Sequence, residues 1–287
     1  MATRSPVLNM MIRAADKAAK SLKRDFGEVE NLQVSKKGPA DFVSAADRRA
    51  EKTLRQELSK ARPEFGLLME ESAEQESRDE QHRRFIVDPL DGTTNFLHGL
   101  PHFAISIALE QRGEIVAGVI YDPVKEEMFW AEKGVGAYLN DRRIRVSSRD
   151  RLDSALIATG APFKGKGNRP LFQAELDAVM ANTAGIRRFG SAALDLAYVA
   201  AGRYEGFWER ALSPWDMAAG MILVREAGGF VGEIEGKAIR VDSPSILAAN
   251  AELEVTFQRL LQKAAKTVQN AQHSGANGAQ SSQSAQG

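Results

Sequence analysis

The sequence predicts a mixed α/β fold, with an alternating α/β layer stacked on an antiparallel sheet. Three observations predict it. Helical periodicity dominates the first sixty or so residues. Between His102 and Val146 the pattern becomes short apolar runs broken by turn residues. From about Ser154 onward, strand-length and helix-length segments alternate.

Each element follows from local chemistry. Ser5-Pro6 reads as an N-cap with proline at the first helical position, opening an amphipathic helix to about Phe26. A second helix is expected over residues 45–61, where Ala50, Leu54 and Leu58 recur one turn apart. Arg62-Pro63 stops it, because the residue before proline is driven out of the helical region. Residues 65–69 and 85–87 have strand length, and the polar stretch 74–84 between them reads as an exposed loop. Runs at 103–109 and 115–121 flank Gln111-Arg-Gly-Glu114, a hairpin signal, and runs at 127–131 and 144–146 extend the meander past Gly134 and Gly136. Further strands are expected at 156–159, 186–189, 207–208 and 230–231, and helices at 171–180, 192–201 and 215–227. Gly228-Gly229 is a helix stop. After Lys266 the chain is Gln, Asn, Ser, Gly and Ala, which cannot bury apolar area. The expected organisation is an N-terminal α+β half (1–150), a C-terminal α/β half (151–265) and a disordered tail (266–287).

Bulk properties narrow the function. Lys plus Arg and Asp plus Glu are both 38, so no global field favours nucleic acid or an anionic membrane. Strong direct nucleic-acid binding is therefore not expected. Cysteine is absent, which excludes disulfides, a thiolate nucleophile and thiolate-bound metal. No apolar stretch approaches the ~20 residues of a membrane span. The first residues lack the apolar core of a signal peptide, and a cytoplasmic location is the expectation.

The chemistry concentrates in acids. In Asp88-Pro89-Leu90-Asp91-Gly92-Thr93-Thr94-Asn95-Phe96, an apolar strand runs into two acids three residues apart. Pro89 stiffens the turn, Gly92 permits close backbone approach, and Thr93-Thr94 open a helix whose free N–H groups suit phosphate. Such a segment can supply two hard oxygen ligands for Mg²⁺ beside a phosphate cradle. An acidic turn with an Asp cap is the plain alternative. Four further acids have plain readings of their own. Glu70-Glu71 follows a strand run and suits a solvated loop start. Asp216, in Ser213-Pro214-Trp215-Asp216, suits a helix first turn. Asp47, three residues after Ser44, matches a capping box. His82, His98, His102 and His273 have no metal-ligand spacing, and His98 and His102 read as structural neighbours of the motif. No Gly-x-x-x-x-Gly-Lys-Ser/Thr loop or Gly-x-Ser-x-Gly elbow is present.

Taken together, these residues resemble the inositol monophosphatase family, within the superfamily of lithium-sensitive, Mg²⁺-dependent phosphatases. The resemblance spans residues 7–263 and rests on four motifs in order: Asp41-Phe-Val-Ser-Ala-Ala-Asp47, Met69-Glu70-Glu71-Ser72, Asp88 to Phe96, and Trp215-Asp216-Met-Ala-Ala-Gly220. The stretch Gly190-Ser-Ala-Ala-Leu-Asp-Leu-Ala-Tyr-Val-Ala-Ala-Gly202 is similar to the bacterial SuhB-type branch. The resemblance implies an αβαβα sandwich of the inositol monophosphatase and fructose-1,6-bisphosphatase type. It implies two to three Mg²⁺ ions held by Glu70, Asp88, the Leu90 carbonyl, Asp91 and Asp216. Thr93, Asp47 and Glu70 would serve catalysis; Asp91, Gly92, Thr93, Ala192, Glu209 and Asp216 would contact substrate. Lys36 matches a basic position near the metal loop. Many members have Gly where this chain has Met69.

The expected substrate is a small phosphate monoester, inositol monophosphate first, with fructose 1,6-bisphosphate and histidinol phosphate as alternatives. Thr94-Asn95-Phe96 after Asp-Gly-Thr favours the inositol type over 3′-phosphoadenosine phosphatases, which carry Lys there. The resemblance also implies a homodimer. Its alternative is a regulatory factor that binds transcription complexes, with hydrolysis secondary.

Overall fold

The computed structural model describes residues 4–28, 34–38, 41–162 and 167–283, with side chains for 4–28, 44–162 and 167–270. Helix α1 is Pro6–Phe26, capped by the Ser5 hydroxyl, which accepts from the Leu8 N–H. A short hairpin, β1 (Val34–Gly38) and β2 (Asp41–Ser44), leads into α2 (Ala45–Ala61). Lys36 lies on β1, and its side chain is outside the described residues.

The first sheet holds seven strands in chain order: β3 (Gly66–Met69), β4 (Arg84–Asp91), β5 (Ala104–Gln111), β6 (Glu114–Asp122), β7 (Glu127–Glu132), β8 (Gly136–Leu139) and β9 (Arg142–Ile144). The short helix α3 (Thr93–Leu97) follows β4. From β4 onward the pairing is antiparallel, as the meander pattern predicts, while β3 runs parallel to β4. The turn from β5 to β6 has Arg112 at φ 53° and Gly113 at φ 80°. Two successive positive φ values give the primed turn whose twist suits a two-residue hairpin.

The second sheet has the order β11-β10-β12-β14-β13, from β10 (Leu156–Thr159), β11 (Gly185–Arg187), β12 (Gly206–Arg210), β13 (Phe230–Gly232) and β14 (Ser245–Ala249). Its helices are α4 (Arg169–Met180), α5 (Ala192–Ala200), α6 (Pro214–Glu226) and α7 (Glu254–Gln283). β10 pairs in parallel with β11 and β12, and β14 is antiparallel to β12 and β13.

The layers follow from which face each strand residue presents. On β4 and β5, Phe85, Val87, Ile105 and Ile107 pack with Leu8, Met11, Leu22 and Leu54 of α1 and α2. The alternating residues Ile86, Ala104 and Ala108 pack with Leu194, Met217 and Ile222 of α5 and α6. Those two helices also cover Phe207 and Ala248 of the second sheet. Ile157, Trp208 and Leu247 face Phe257 and Leu261 of α7 on the far side. The result is an αβαβα stack, as the resemblance implies. Strands buried on both faces read as continuous apolar runs, which is the pattern seen at 85–87 and 103–109. Each fully buried Leu, Ile or Phe contributes roughly 1.5–3 kcal/mol.

Helix α7 carries the chain past Lys266 to Gln283. Phe257, Leu261 and Ala264 dock the first turns, and extending a helix already nucleated costs little where Gln and Ala follow. The strand expected at 186–189 ends at Arg187, leaving Arg188 and Phe189 in the loop before α5. Among the described residues, no helix is long and apolar enough to cross a membrane.

Candidate metal and phosphate site

Asp88 and Asp91 would face opposite sides of a regular strand, because side chains alternate. The ladder between β4 and β5 slips here: Asp88 pairs with Ser106, and Asp91 with Ala104. Three steps on β4 oppose two on β5, a bulge that brings both acids to the face turned toward α5 and α6. Pro89, which has no N–H to give the ladder, sits inside it. Gly92 then turns the chain at φ 91°, where a Cβ would lie 3.1 Å from the His102 carbonyl oxygen.

Other elements deliver their acids to the same place. Glu70 follows β3, and its N–H donates to the Val87 carbonyl (3.3 Å), beside Asp88. Asp216 sits in the first turn of α6, where its Oδ2 accepts from the Ser213 N–H (2.8 Å) in a capping box. The Ser106 hydroxyl ties that helix start to β5 by donating to the Trp215 carbonyl (3.2 Å). One oxygen from each of Asp88, Asp91 and Asp216 lies within 4.8 Å of the others.

Asp47 caps α2 with one carboxylate oxygen and meets Thr93 with the other. Its Oδ2 accepts from the Ser44 N–H (2.8 Å) and the Ser44 hydroxyl, completing the cap of α2. Its Oδ1 faces Thr93 Oγ1 at 3.0 Å, and the same hydroxyl is 3.0 Å from the Leu90 carbonyl oxygen. Glu70, Asp88, Leu90, Asp91, Gly92, Thr93, Ala192, Glu209 and Asp216 all line one cavity of about 330 Å³. Asp47 joins it through Thr93. Met69, the departure from the usual Gly, is buried in the layer against α1 and α2, away from the cavity.

The electrostatics are those of crowded, buried acids. Burial raises the Asp88 carboxyl well above its ordinary value, and Glu70, Asp91 and Asp216 add to the rise. Burial likewise pushes Asp91 up to about 6, against hydrogen bonds from Ser191 and Ala193. Glu209 is pushed up to about 8 by burial, then by Asp216 and Asp91. Asp47 rises through burial, opposed by its bonds to Ser44. Such a set is costly unless cations or protons offset it. The donors are hard carboxylate oxygens with no nitrogen or sulfur among them, which fits Mg²⁺.

Three residues at the site escape sequence reasoning. Ser191 caps α5 and donates to Asp91 Oδ2 (2.6 Å), and the Ala193 N–H donates to the same oxygen (2.8 Å). Asp195 and Arg188 line the cavity. Asp195 carried a signal: it is the one charged residue in the otherwise apolar stretch 192–200. Among the described residues, no histidine lines the cavity. His102 packs its ring 5.2 Å from that of Phe189, burial pushes it down to about 4, and its carbonyl accepts from Asn95 Nδ2 (2.8 Å).

Comparison with known proteins gives the family. The profile described as "Inositol monophosphatase family" matches residues 3–273. A relative from Rhizobium meliloti (strain 1021), named inositol-1-monophosphatase, is 56% identical over 91% of this chain and 97% of its own. A relative from Pseudomonas aeruginosa, named Nus factor SuhB, is 44% identical over 86% of this chain and 92% of its own. The crystal structure of extragenic suppressor protein suhB from Bartonella henselae superposes with a TM-score of 0.87 at 60% identity, covering 90% of this chain and 99% of that one.

Proposed function

Because this chain belongs to the inositol monophosphatase family, we propose that it is a Mg²⁺-dependent phosphatase releasing inositol and inorganic phosphate from inositol monophosphate. The observation that carries this reading is the convergence of Asp88, Asp91 and Asp216 within 4.8 Å, from a strand end and a helix start far apart in the chain.

The residues that would hold two to three Mg²⁺ ions are Glu70, Asp88, Asp91 and Asp216, with the Leu90 carbonyl. Bound there, Mg²⁺ supplies charge neutralisation for the phosphate dianion and lowers the pKa of water. The chain's own contribution is positioning. Backbone N–H donors fix the carboxylates: Leu90 N–H holds Asp88 Oδ1 (2.9 Å), Ala193 N–H holds Asp91, and Ser213 N–H holds Asp216. The Thr93 hydroxyl donates a hydrogen bond to Asp47 Oδ1 and turns its lone pairs to the cavity, where it would accept a hydrogen bond from the attacking water. Gly92 and Thr93 present the backbone to the phosphate. Ala192 and Glu209 face the alcohol.

A substrate panel tests the proposal. With Mg²⁺, inositol monophosphate should be hydrolysed with higher kcat/KM than fructose 1,6-bisphosphate, histidinol phosphate or 3′-phosphoadenosine 5′-phosphate. Absence of Mg²⁺-stimulated phosphate release from all four refutes it. A homodimer, lithium inhibition and a cytoplasmic location belong to the same proposal.

A second reading, as a protein-binding factor of transcription complexes, is favoured by the relative named Nus factor SuhB. Complementation by Asp91→Asn discriminates. A phenotype that survives loss of hydrolysis makes binding primary.

A further inference from the structure

The proposed reaction leaves one buried acid of the cavity without a task. Asp195 lies one helical turn beyond Ala192 on α5 and is 1% exposed. It lines the cavity, yet its Oδ1 has no hydrogen-bond partner among the described residues. A buried carboxyl oxygen without a donor is unfavourable, and each such group calls for an explanation. The charges nearest in effect are those of Glu209 and Asp91, with Arg188 opposing them. Asp91 already accepts from Ser191 and Ala193. Glu209 comes from β12 and Asp195 from α5, so the two carboxyls approach the cavity from different layers.

The structure assigns Asp195 to substrate selection: together with Glu209 it accepts hydrogen bonds from two hydroxyls of the leaving alcohol, so the site prefers phosphate esters of polyols to those of simple alcohols. The chemistry follows from counting protons. A hydroxyl has a single proton to donate, so two acceptors on one ligand call for two hydroxyls. Ala192 and Asp195 share a helix face at i and i+3, and both line the cavity. A site built to bond a hydroxyl rejects the analogue that lacks it, because its own buried group is then left unpaired. This assignment rests on the phosphatase reading of the cavity and deepens it. Asp195 would touch the alcohol and not the phosphate.

The test compares inositol 1-phosphate with p-nitrophenyl phosphate, whose leaving group has no further hydroxyl, in the full chain with Mg²⁺. Asp195→Ala should raise KM for inositol 1-phosphate about tenfold or more. Its kcat for that ester, and both constants for p-nitrophenyl phosphate, should stay within about twofold. Equal KM changes for both esters, or none for either, overturn the assignment and leave the phosphatase reading standing. A wild-type chain inactive on both esters overturns the phosphatase reading and this assignment with it. A second measurement needs no variant. Among singly deoxygenated inositol 1-phosphates, wild-type protein should discriminate by about tenfold in KM against the analogue lacking the hydroxyl that faces Asp195. Uniform KM across the series overturns the assignment.

Discussion

The Asp91 carboxylate accepts a 2.6 Å hydrogen bond from the hydroxyl of Ser191, a residue one hundred positions later in the chain. That bond joins the end of β4 to the start of α5. It therefore couples the first sheet to the helix layer that also covers the second. Removing its donor tests how far the site depends on that coupling. Ser191→Ala should cost about 2 kcal/mol, from loss of both a helix cap and a buried bond. It should also weaken Mg²⁺ affinity about 10-fold or more, because Asp91 loses an orienting donor. Thermal melts with and without Mg²⁺ separate the two effects.

The ligand set should behave as a unit. Asp88→Asn, Asp91→Asn or Asp216→Asn should each lower kcat by on the order of 10²-fold or more while far-UV circular dichroism is unchanged. Wild-type turnover in Asp88→Asn or Asp91→Asn contradicts the assignment.

The Thr93 and Asp47 pair predicts a different signature. Thr93→Ala should lower kcat about 10²-fold with KM little altered, since the hydroxyl orients water and not substrate. Thr93→Ser keeps the oxygen and should retain most of the rate. Steady-state kinetics on both variants decides between this and a role in substrate binding, which would appear in KM.

The raised carboxyls set a direction for stability against pH. In the folded, metal-free chain Asp91 titrates at about 6 and Glu209 at about 8, against ordinary values of 3.8 and 4.5. The folded state therefore holds protons that the unfolded chain releases. Below the ordinary values both states are protonated, and no penalty exists. As pH rises from 3.8 to about 6 for Asp91, and from 4.5 to about 8 for Glu209, the unfolded chain alone gives up the proton and stability falls, levelling off above the folded values. In EDTA the melting temperature should drop between pH 5 and pH 8.5. Mg²⁺ should restore more at the upper end. Calorimetry showing a flat EDTA profile counts against the reading.

Helix α6 passes close over Gly118 on β6. A Cβ there would lie 2.7 Å from Ile222 Cγ2 and 2.8 Å from the Ala219 carbonyl oxygen. Gly118→Ala should cost about 1–3 kcal/mol, because the backbone of a packed helix cannot move aside cheaply. Denaturant titration measures the loss. The activity per folded molecule should fall as well if α6, which carries Asp216, is displaced.

How much of this was legible depended on how local each signal is. The helices at 6–26 and 45–61 are readable to the residue because Ser5-Pro6, Ser44 and Arg62-Pro63 mark their ends chemically. The short strand at 245–249, Ser-Ile-Leu-Ala-Ala, is not, because nothing local separates it from a helical turn. The strand at 34–38 is too polar, with Ser35, Lys36 and Lys37, to announce itself. At the site, the acids were visible as residues, but Asp47 and Asp216 were equally well explained as caps. In the structure each caps its helix and still reaches the Thr93 hydroxyl or the acid cluster, since a carboxylate has two oxygens. The bulge that turns Asp88 and Asp91 to one face is a property of pairing with β5, which no window on β4 alone contains.

That double duty bears on how such a chain can change over time. At positions 47 and 216, losing the acid frays the start of a helix as well as removing a group from the cavity, so folding alone favours keeping it. Asp88 enjoys no comparable shelter, because its buried charge burdens the fold. A descendant that had abandoned hydrolysis and survived as a scaffold should lose Asp88 early and keep Asp47 and Asp216 long afterwards. An intact acid at position 88 is therefore stronger testimony to living chemistry than an intact acid at either helix start.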